Sequence, residues 1–283
     1  MKNRFTIRRM NLEEVETIAI DWAAAEGWNP GLNDALCFYN TDPKGFFIGL
    51  LNNEPVACIS AVSYDDTFAF IGFYIVHPDH RGKGFGIKIW NAAMSYIQDQ
   101  NMGLDGVIEQ QKNYMKSGFQ FAYSNIRFEG TNEYLAYPDP DIVELTESVT
   151  PELIKYDSEL FPGERARFLN CWVKQENSSC FIYLQLKEIL GYCVIRKCQT
   201  GYKIGPLFAN SVDVAKQLFL KAVSSTEAGS KIYLDVPDVN RNAVQLAESW
   251  GMREVFRTAR MYTKTEPDLE LNRIYGVTTF ELG

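Results

Sequence analysis

The chain has 283 residues, which suggests two domains, and its 46% apolar and 23% charged residues are ordinary globular usage. That composition excludes fibrous, collagen-like and disordered classes. With 28 Lys and Arg against 36 Asp and Glu the net charge is −8, which argues against a nucleic-acid partner, because neutralising phosphates takes clustered cations.

Phe5 to Arg9 alternates apolar and charged residues as a half-buried strand does, and Asn11 followed by Glu14 reads as a capping box opening a helix through Trp22. Glu26-Gly27-Trp28-Asn29-Pro30-Gly31 ends that helix in a loop, and a second helical stretch follows near Asp34 to Tyr39. Strands are predicted at Gly45 to Leu50, Val56 to Tyr64 and Phe68 to Val76, the first two joined by a tight turn at Asn52-Asn53-Glu54-Pro55. A glycine-rich turn leads into a helix from Ile87 to Gln98. A strand from Leu104 to Ile108, a short helix from Asn113 to Ser117 and strand residues from Phe119 to Phe128 complete the half. This order predicts an α/β fold with a mixed, largely antiparallel sheet flanked by helices. Prolines and acids from Tyr134 to Asp141 read as a linker. Beyond it the pattern recurs: Leu104-Asp105 is echoed by Leu234-Asp235, Ile71-Gly72 by Ile204-Gly205, and Gly118 to Arg127 by Gly251 to Arg260 at the same spacing. The expectation is a duplicated domain, residues 1–135 and 141–283.

Six cysteines without a C-x-x-C pair are read as free, mostly buried thiols. The only histidines, His77 and His80, join no cysteine cluster, so no metal is expected. The start of the chain has no apolar signal-like region, and the longest apolar run is Phe68 to Val76. The expectation is a cytoplasmic protein without a membrane partner, as monomer or homodimer.

The segment Val76-His77-Pro78-Asp79-His80-Arg81-Gly82-Lys83-Gly84-Phe85-Gly86 carries the chemistry. Three glycines in five residues, placed between a strand and a helix, let successive N–H groups and the positive helix end converge on an anion such as a pyrophosphate. Arg81 and Lys83 add positive charge. A dinucleotide turn would instead follow the first strand with G-x-G-x-x-G, and the Walker pattern is absent.

Arg81-x-x-Gly84-x-Gly86 after the V-x-P of Val76 to Pro78 resembles the acyl-CoA signature of the GNAT superfamily of N-acetyltransferases. Segments such as Glu26 to Gly31, Ile204 to Ala209 and Tyr275 to Gly283 resemble a tandem subgroup of it. The resemblance implies acetyl-CoA as cosubstrate. It implies a pyrophosphate held by the backbone of Arg81, Gly82, Lys83, Gly84, Phe85 and Gly86, pantetheine along the strand edge at Ile75 and Val76, and an oxyanion donor in the strand backbone near Val76. Tyr114 would be the acid that protonates the leaving thiolate, with Asn113 beside it at the cofactor. The second half departs from the pattern: Asn210-Ser211 stands where the glycine-rich turn would be, and Ala247 stands where the tyrosine would be. It reads as a degenerate domain that helps to shape the acceptor pocket.

Direct transfer to an amine also needs a base. The usual strand position for it is apolar here. Glu26 is the first substitute, Asp105 the second, and a water chain the third, while Trp28 and Asn29 are expected to line the acceptor pocket. The reading is an enzyme transferring acetyl from acetyl-CoA to a primary amine of a small molecule or peptide. The alternative is a CoA-binding sensor or interaction module without turnover.

Overall fold

Asn11 and Glu14 form the reciprocal cap that their spacing predicts. The Asn11 side chain accepts from the Glu14 N–H at 2.9 Å, and the Glu14 carboxylate accepts from the Asn11 N–H at 3.1 Å. In the computed structural model, which describes residues 4–133 and 141–283, this cap follows strand β1 (Phe5–Arg9) and starts helix α1 (Leu12–Glu14). The helix continues through a π-helical turn (Val15–Ile20) into α2 (Asp21–Ala25). The first half goes on with α3 (Asp34–Thr41), β2 (Phe46–Leu51), β3 (Glu54–Ser63), β4 (Phe68–Val76), α4 (Phe85–Tyr96), β5 (Asn101–Val107), α5 (Gln111–Lys116) and β6 (Gln120–Thr131). Asn52 and Asn53 turn between β2 and β3 with φ of 53° and 74°, left-handed angles that asparagine tolerates.

The second half repeats the plan with β7 (Ile142–Glu144), α6 (Thr150–Ser158), α7 (Ala166–Trp172), β8 (Ser178–Gln185), β9 (Glu188–Lys197), β10 (Tyr202–Ala209), α8 (Val212–Ser224), β11 (Lys231–Pro237), α9 (Arg241–Ser249) and β12 (Arg253–Tyr262). It then adds a short strand without a counterpart in the first half, β13 (Ile274–Gly276). Residues 134–140 of the expected linker lie outside the described residues.

The strands form one mixed sheet in the order β1-β2-β3-β4-β5-β12-β6-β11-β10-β9-β8-β7. Neighbours are antiparallel except for β4 with β5 and β10 with β11. The two halves meet by exchange: β12 of the second lies between β5 and β6 of the first, and β6 pairs on its other side with β11. Each half thereby covers the open edge of the other, and neither β5 nor β11 is left with unpaired backbone on one side.

Alternation along the strands sends residues to two faces. Phe46, Ile48 and Leu50 enter a core that α3, α6 and α7 share across the two halves, whereas Phe47 enters the core under α4. A third core lies under α8 and α9. In the shared core Phe38 stacks on Trp172 with ring centroids 5.8 Å apart.

Two cysteines depart from the expectation of free thiols: Cys37 on α3 and Cys171 on α7 form a disulfide, with Cα atoms 5.3 Å apart. Corresponding helices of the two halves lie side by side, a proximity that 134 positions of sequence separation conceal. Cys58, Cys180, Cys193 and Cys198 are buried free thiols, as expected.

Candidate active site

Strands β4 and β5 pair in parallel only from Phe68 with Asn101 to Ile71 with Leu104. Beyond that point they part, and a cleft of about 520 Å³ opens between Gly72 to Val76 on one side and Asp105 to Val107 on the other. At its head β4 is bulged: Gly72 pairs with Ser60 and Ile75 with Cys58, so three steps on β4 match two on β3. Phe73 in the bulge has φ of 48°. A bulge withdraws backbone groups from the ladder and re-aims them, here at the head of the cleft.

The foot of the cleft is the glycine-rich turn. Gly82 and Gly84 have φ of 74° and 80°, and nothing lies within 4 Å of where a Cβ would stand on either, so conformation and not space calls for glycine there. Gly86 differs, since a methyl group would meet the Tyr74 hydroxyl at 2.7 Å and the Val76 side chain at 3.2 Å. Gly84 precedes α4, and no side chain among the described residues caps that helix. Its first N–H groups are therefore open to an anion, with the helix dipole behind them. Arg81 ties the turn together: its Nε donates to the Val76 carbonyl at 3.0 Å, and its guanidinium forms an ion pair with Glu26. Lys83 turns back to the Asp79 carbonyl at 2.7 Å and is not part of the cleft wall.

Tyr114 from α5 forms part of the cleft wall and is buried. Its ring lies against β5, where any side chain on Gly106 would collide with it, and stands 5.7 Å from the Trp90 ring. Burial, and next the neighbouring Tyr74, pushes its hydroxyl well above the usual tyrosine range, so it holds its proton at neutral pH. Asn113 points elsewhere, its amide donating to Gln110 at 2.7 Å, and it is Gln110 that borders the cleft.

Glu26, Trp28 and Asp105 all border the cleft. The two carboxylates offered as bases are already engaged, Glu26 by Arg81 and Asp105 by Arg260. Arg260 Nη2 donates to Asp105 Oδ2 at 2.6 Å, and Asn125 adds a bond to Oδ1 at 2.7 Å. Asn29 lies outside the cleft wall and clasps the second half, donating to the Thr200 carbonyl and accepting from the Thr200 N–H, each at 2.9 Å. Trp28 is held from β6 by Arg127, which donates to its carbonyl at 2.6 Å.

In the second half the same construction is filled. β10 and β11 pair in parallel from Tyr202 with Ile232 to Ile204 with Leu234 and then part, with a bulge on β10 between Ile204 and Leu207. Into the gap goes β13, pairing Leu207 with Gly276 and Phe208 with Ile274, while the Val277 N–H donates to the Asp235 carbonyl at 2.8 Å. The chain then crosses to the first half, where the Glu281 backbone lies on Gly72 and the Leu282 carbonyl accepts from the Tyr64 hydroxyl at 2.8 Å.

This crossing brings a carboxylate that sequence reasoning missed. Glu281 borders the first-half cleft, is 3% exposed, and neither carboxylate oxygen has a hydrogen-bond partner among the described residues. The available signal was a lone acid in the otherwise uncharged run from Ile274 to Gly283, after the point where the internal repeat ends.

The comparisons with known proteins agree with this construction. Residues 12–119 match the acetyltransferase (GNAT) family and residues 153–276 match an acetyltransferase (GNAT) domain. Holothin acyltransferase from Pseudoalteromonas sp. (strain SANK 73390) is 35% identical over 280 residues, covering 99% of this chain and 95% of its own. A Pyrococcus horikoshii protein described as an acetyltransferase has the same fold, with a TM-score of 0.83 at 21% identity over 99% of this chain and 96% of that one. A tandem GNAT protein from the clavulanic acid biosynthesis pathway gives 0.64 at 11% identity, over 94% of this chain and all of that one. Two GNAT domains in tandem and a full-length acyltransferase relative make this chain a member of the GNAT family of N-acyltransferases.

Proposed function

We propose that this enzyme moves an acetyl group from acetyl-CoA to a primary amine by direct attack, at one cleft per chain. In this reading residues 1–135 hold the acyl donor and residues 141–283 form a non-catalytic half. The observation that carries it is the contrast between two equivalent gaps: the one between β4 and β5 is an open cleft ending at an uncapped helix under left-handed glycines, and the one between β10 and β11 is filled by β13.

The residues fit the donor. The backbone from Arg81 to Gly86, with the N-terminus of α4, would hold the pyrophosphate. The edge of β4 at Ile75 and Val76 would pair with the pantetheine arm. The thioester supplies an acyl carbon open to a nucleophile. Around it the bulge at Phe73 offers backbone donors for the carbonyl oxygen, and Tyr114 gives its proton to the departing sulfur. Arg81 and Glu26 position the turn. Trp28, its carbonyl held by Arg127, walls the acceptor side. The alternative of a sensor without turnover sits poorly with a full-length acyltransferase relative.

Calorimetric titration of acetyl-CoA into the full chain tests the reading, with one site per chain expected. A mass-spectrometric screen of primary amines then identifies the acceptor, and the name of the relative puts holothin first in that screen. Two sites per chain would refute the filled second cleft, and no binding would refute the donor assignment.

A further inference from the structure

We propose that Glu281 receives the ammonium group of the acceptor and takes its proton, so that the second half of the chain supplies the general base to the cleft of the first. The proposal rests on the acetyl-transfer reading above and deepens it.

A buried carboxylate normally collects hydrogen bonds, because leaving it bare sacrifices its hydration. Glu281 collects none among the described residues, although it borders a cleft. As a carboxylate it only accepts, so what it lacks is a donor, and an ammonium group brings three. Its place suits the chemistry. The Glu281 backbone lies on Gly72, next to the bulge at Phe73. Strand β4 itself has no acid from Phe68 to Val76. The remaining carboxylates of the cleft wall, Glu26 and Asp105, are held in ion pairs.

Three basic side chains face Glu281. Arg127 on β6, Arg196 on β9 and Lys203 on β10 act on it from three strands, with the Cys198 thiol in the same cluster. Arg127 is paired with Asp235 of β11 and Arg196 with Asp34 of α3, whereas Lys203 reaches, among the described residues, only the Trp28 carbonyl, at 3.5 Å. The two arginine charges are thus met by two carboxylates, and burial, with Arg127 next, lowers the pKa of Lys203. Trp28, Phe256 and Phe280 gather around Arg127 in the cleft wall and suit an apolar or aromatic substituent on the amine.

The step balances as follows. Glu281 takes one proton from the ammonium, and the freed lone pair forms the nitrogen–carbon bond to the acyl carbon. The carbon–sulfur bond breaks, its electron pair leaves with sulfur, and sulfur takes the Tyr114 proton. The second proton from nitrogen restores Tyr114, and the one on Glu281 passes to solvent.

Benzylammonium and benzyl alcohol, alike in shape and different in charge, are the probes. Each is titrated calorimetrically at neutral pH into the full-length wild type, Glu281→Gln and Glu281→Asp, with and without saturating CoA. The expected result is that Glu281→Gln weakens benzylammonium by about ten- to a hundredfold, as loss of a charge-assisted contact does. Benzyl alcohol and CoA affinities stay level and report an intact fold, and Glu281→Asp recovers part of the loss. With an acceptor in hand, Glu281→Gln is expected to slow transfer by about 10²–10⁴-fold and to move the acidic limb of kcat/KM up to the ionisation of the free amine itself. Equal benzylammonium affinity in wild type and Glu281→Gln, or unchanged transfer and pH profile, overturns the proposal. Failure of the wild type to bind acetyl-CoA, with charge-selective binding at Glu281 intact, overturns the acetyl-transfer reading and leaves the ammonium site standing.

Discussion

A methyl group on Gly72 would overlap the carbonyl oxygen of Glu281. Strand β4 and the chain segment after β13 are thus in backbone contact at the head of the cleft, and only a residue without a side chain allows it. Gly72→Ala is therefore expected to lift that segment. Stability should fall by about 1–3 kcal/mol, the usual cost of overpacking a core, and transfer should fall while acetyl-CoA affinity holds. Urea unfolding together with calorimetry checks both.

Asp105 and Arg260 are 0% and 5% exposed in their side chains and meet through two hydrogen bonds, across the seam where β12 enters the first half. Asp105→Asn leaves the Arg260 charge buried without its counter-ion, so a loss of about 3–5 kcal/mol in urea unfolding is expected. The rate per folded molecule should change little, which separates a seam residue from a base. A rate collapse with full stability would instead restore Asp105 to the chemistry.

Gly84 has open space around it but a φ of 80°. Gly84→Ala should cost about 1–2 kcal/mol for the left-handed backbone and weaken acetyl-CoA modestly. Gly84→Asp pays the same strain and adds a carboxylate at the anion site, so binding should disappear in calorimetry while circular dichroism stays that of the wild type.

Burial, with Tyr74 second, raises the pKa of Tyr114 above its unfolded value near 10. The sign follows from linkage: this contribution to stability is fully present below about pH 10 and is lost as pH climbs from there through the folded value. Tyr114→Phe should accordingly flatten the alkaline decline of the urea midpoint. It should also slow transfer by about 10²–10⁴-fold with acetyl-CoA affinity kept. Unchanged transfer would remove Tyr114 as the acid.

Much of the fold was legible because it is written in local patterns. The Asn11 cap, the Asn52-Asn53 turn and the limits of β4 depend on near neighbours, and each stands within a residue or two of its expected place. The glycine-rich turn was legible for the same reason, since left-handed angles at Gly82 and Gly84 are demands of one short segment. The cleft wall was less so. Glu26, Trp28, Asp105 and Tyr114 were picked out and do border it, yet Asn29 and Asn113 point away, because a side chain's direction depends on partners such as Thr200 that are remote in sequence.

By itself the sequence determined the two-fold repeat, the order of elements in each half, the glycine-rich turn of the first half and its replacement by Asn210-Ser211 in the second. Periodicity, capping and glycine content act over a few residues, and for that reason they can be read without a structure. Only the tertiary structure decided that the halves exchange strands, that Cys37 meets Cys171, that β13 fills the second cleft, and that the chain from there carries Glu281 into the first. These are pairings of backbone edges and burials of side chains between segments far apart in the chain, and their energies depend on which surfaces come together.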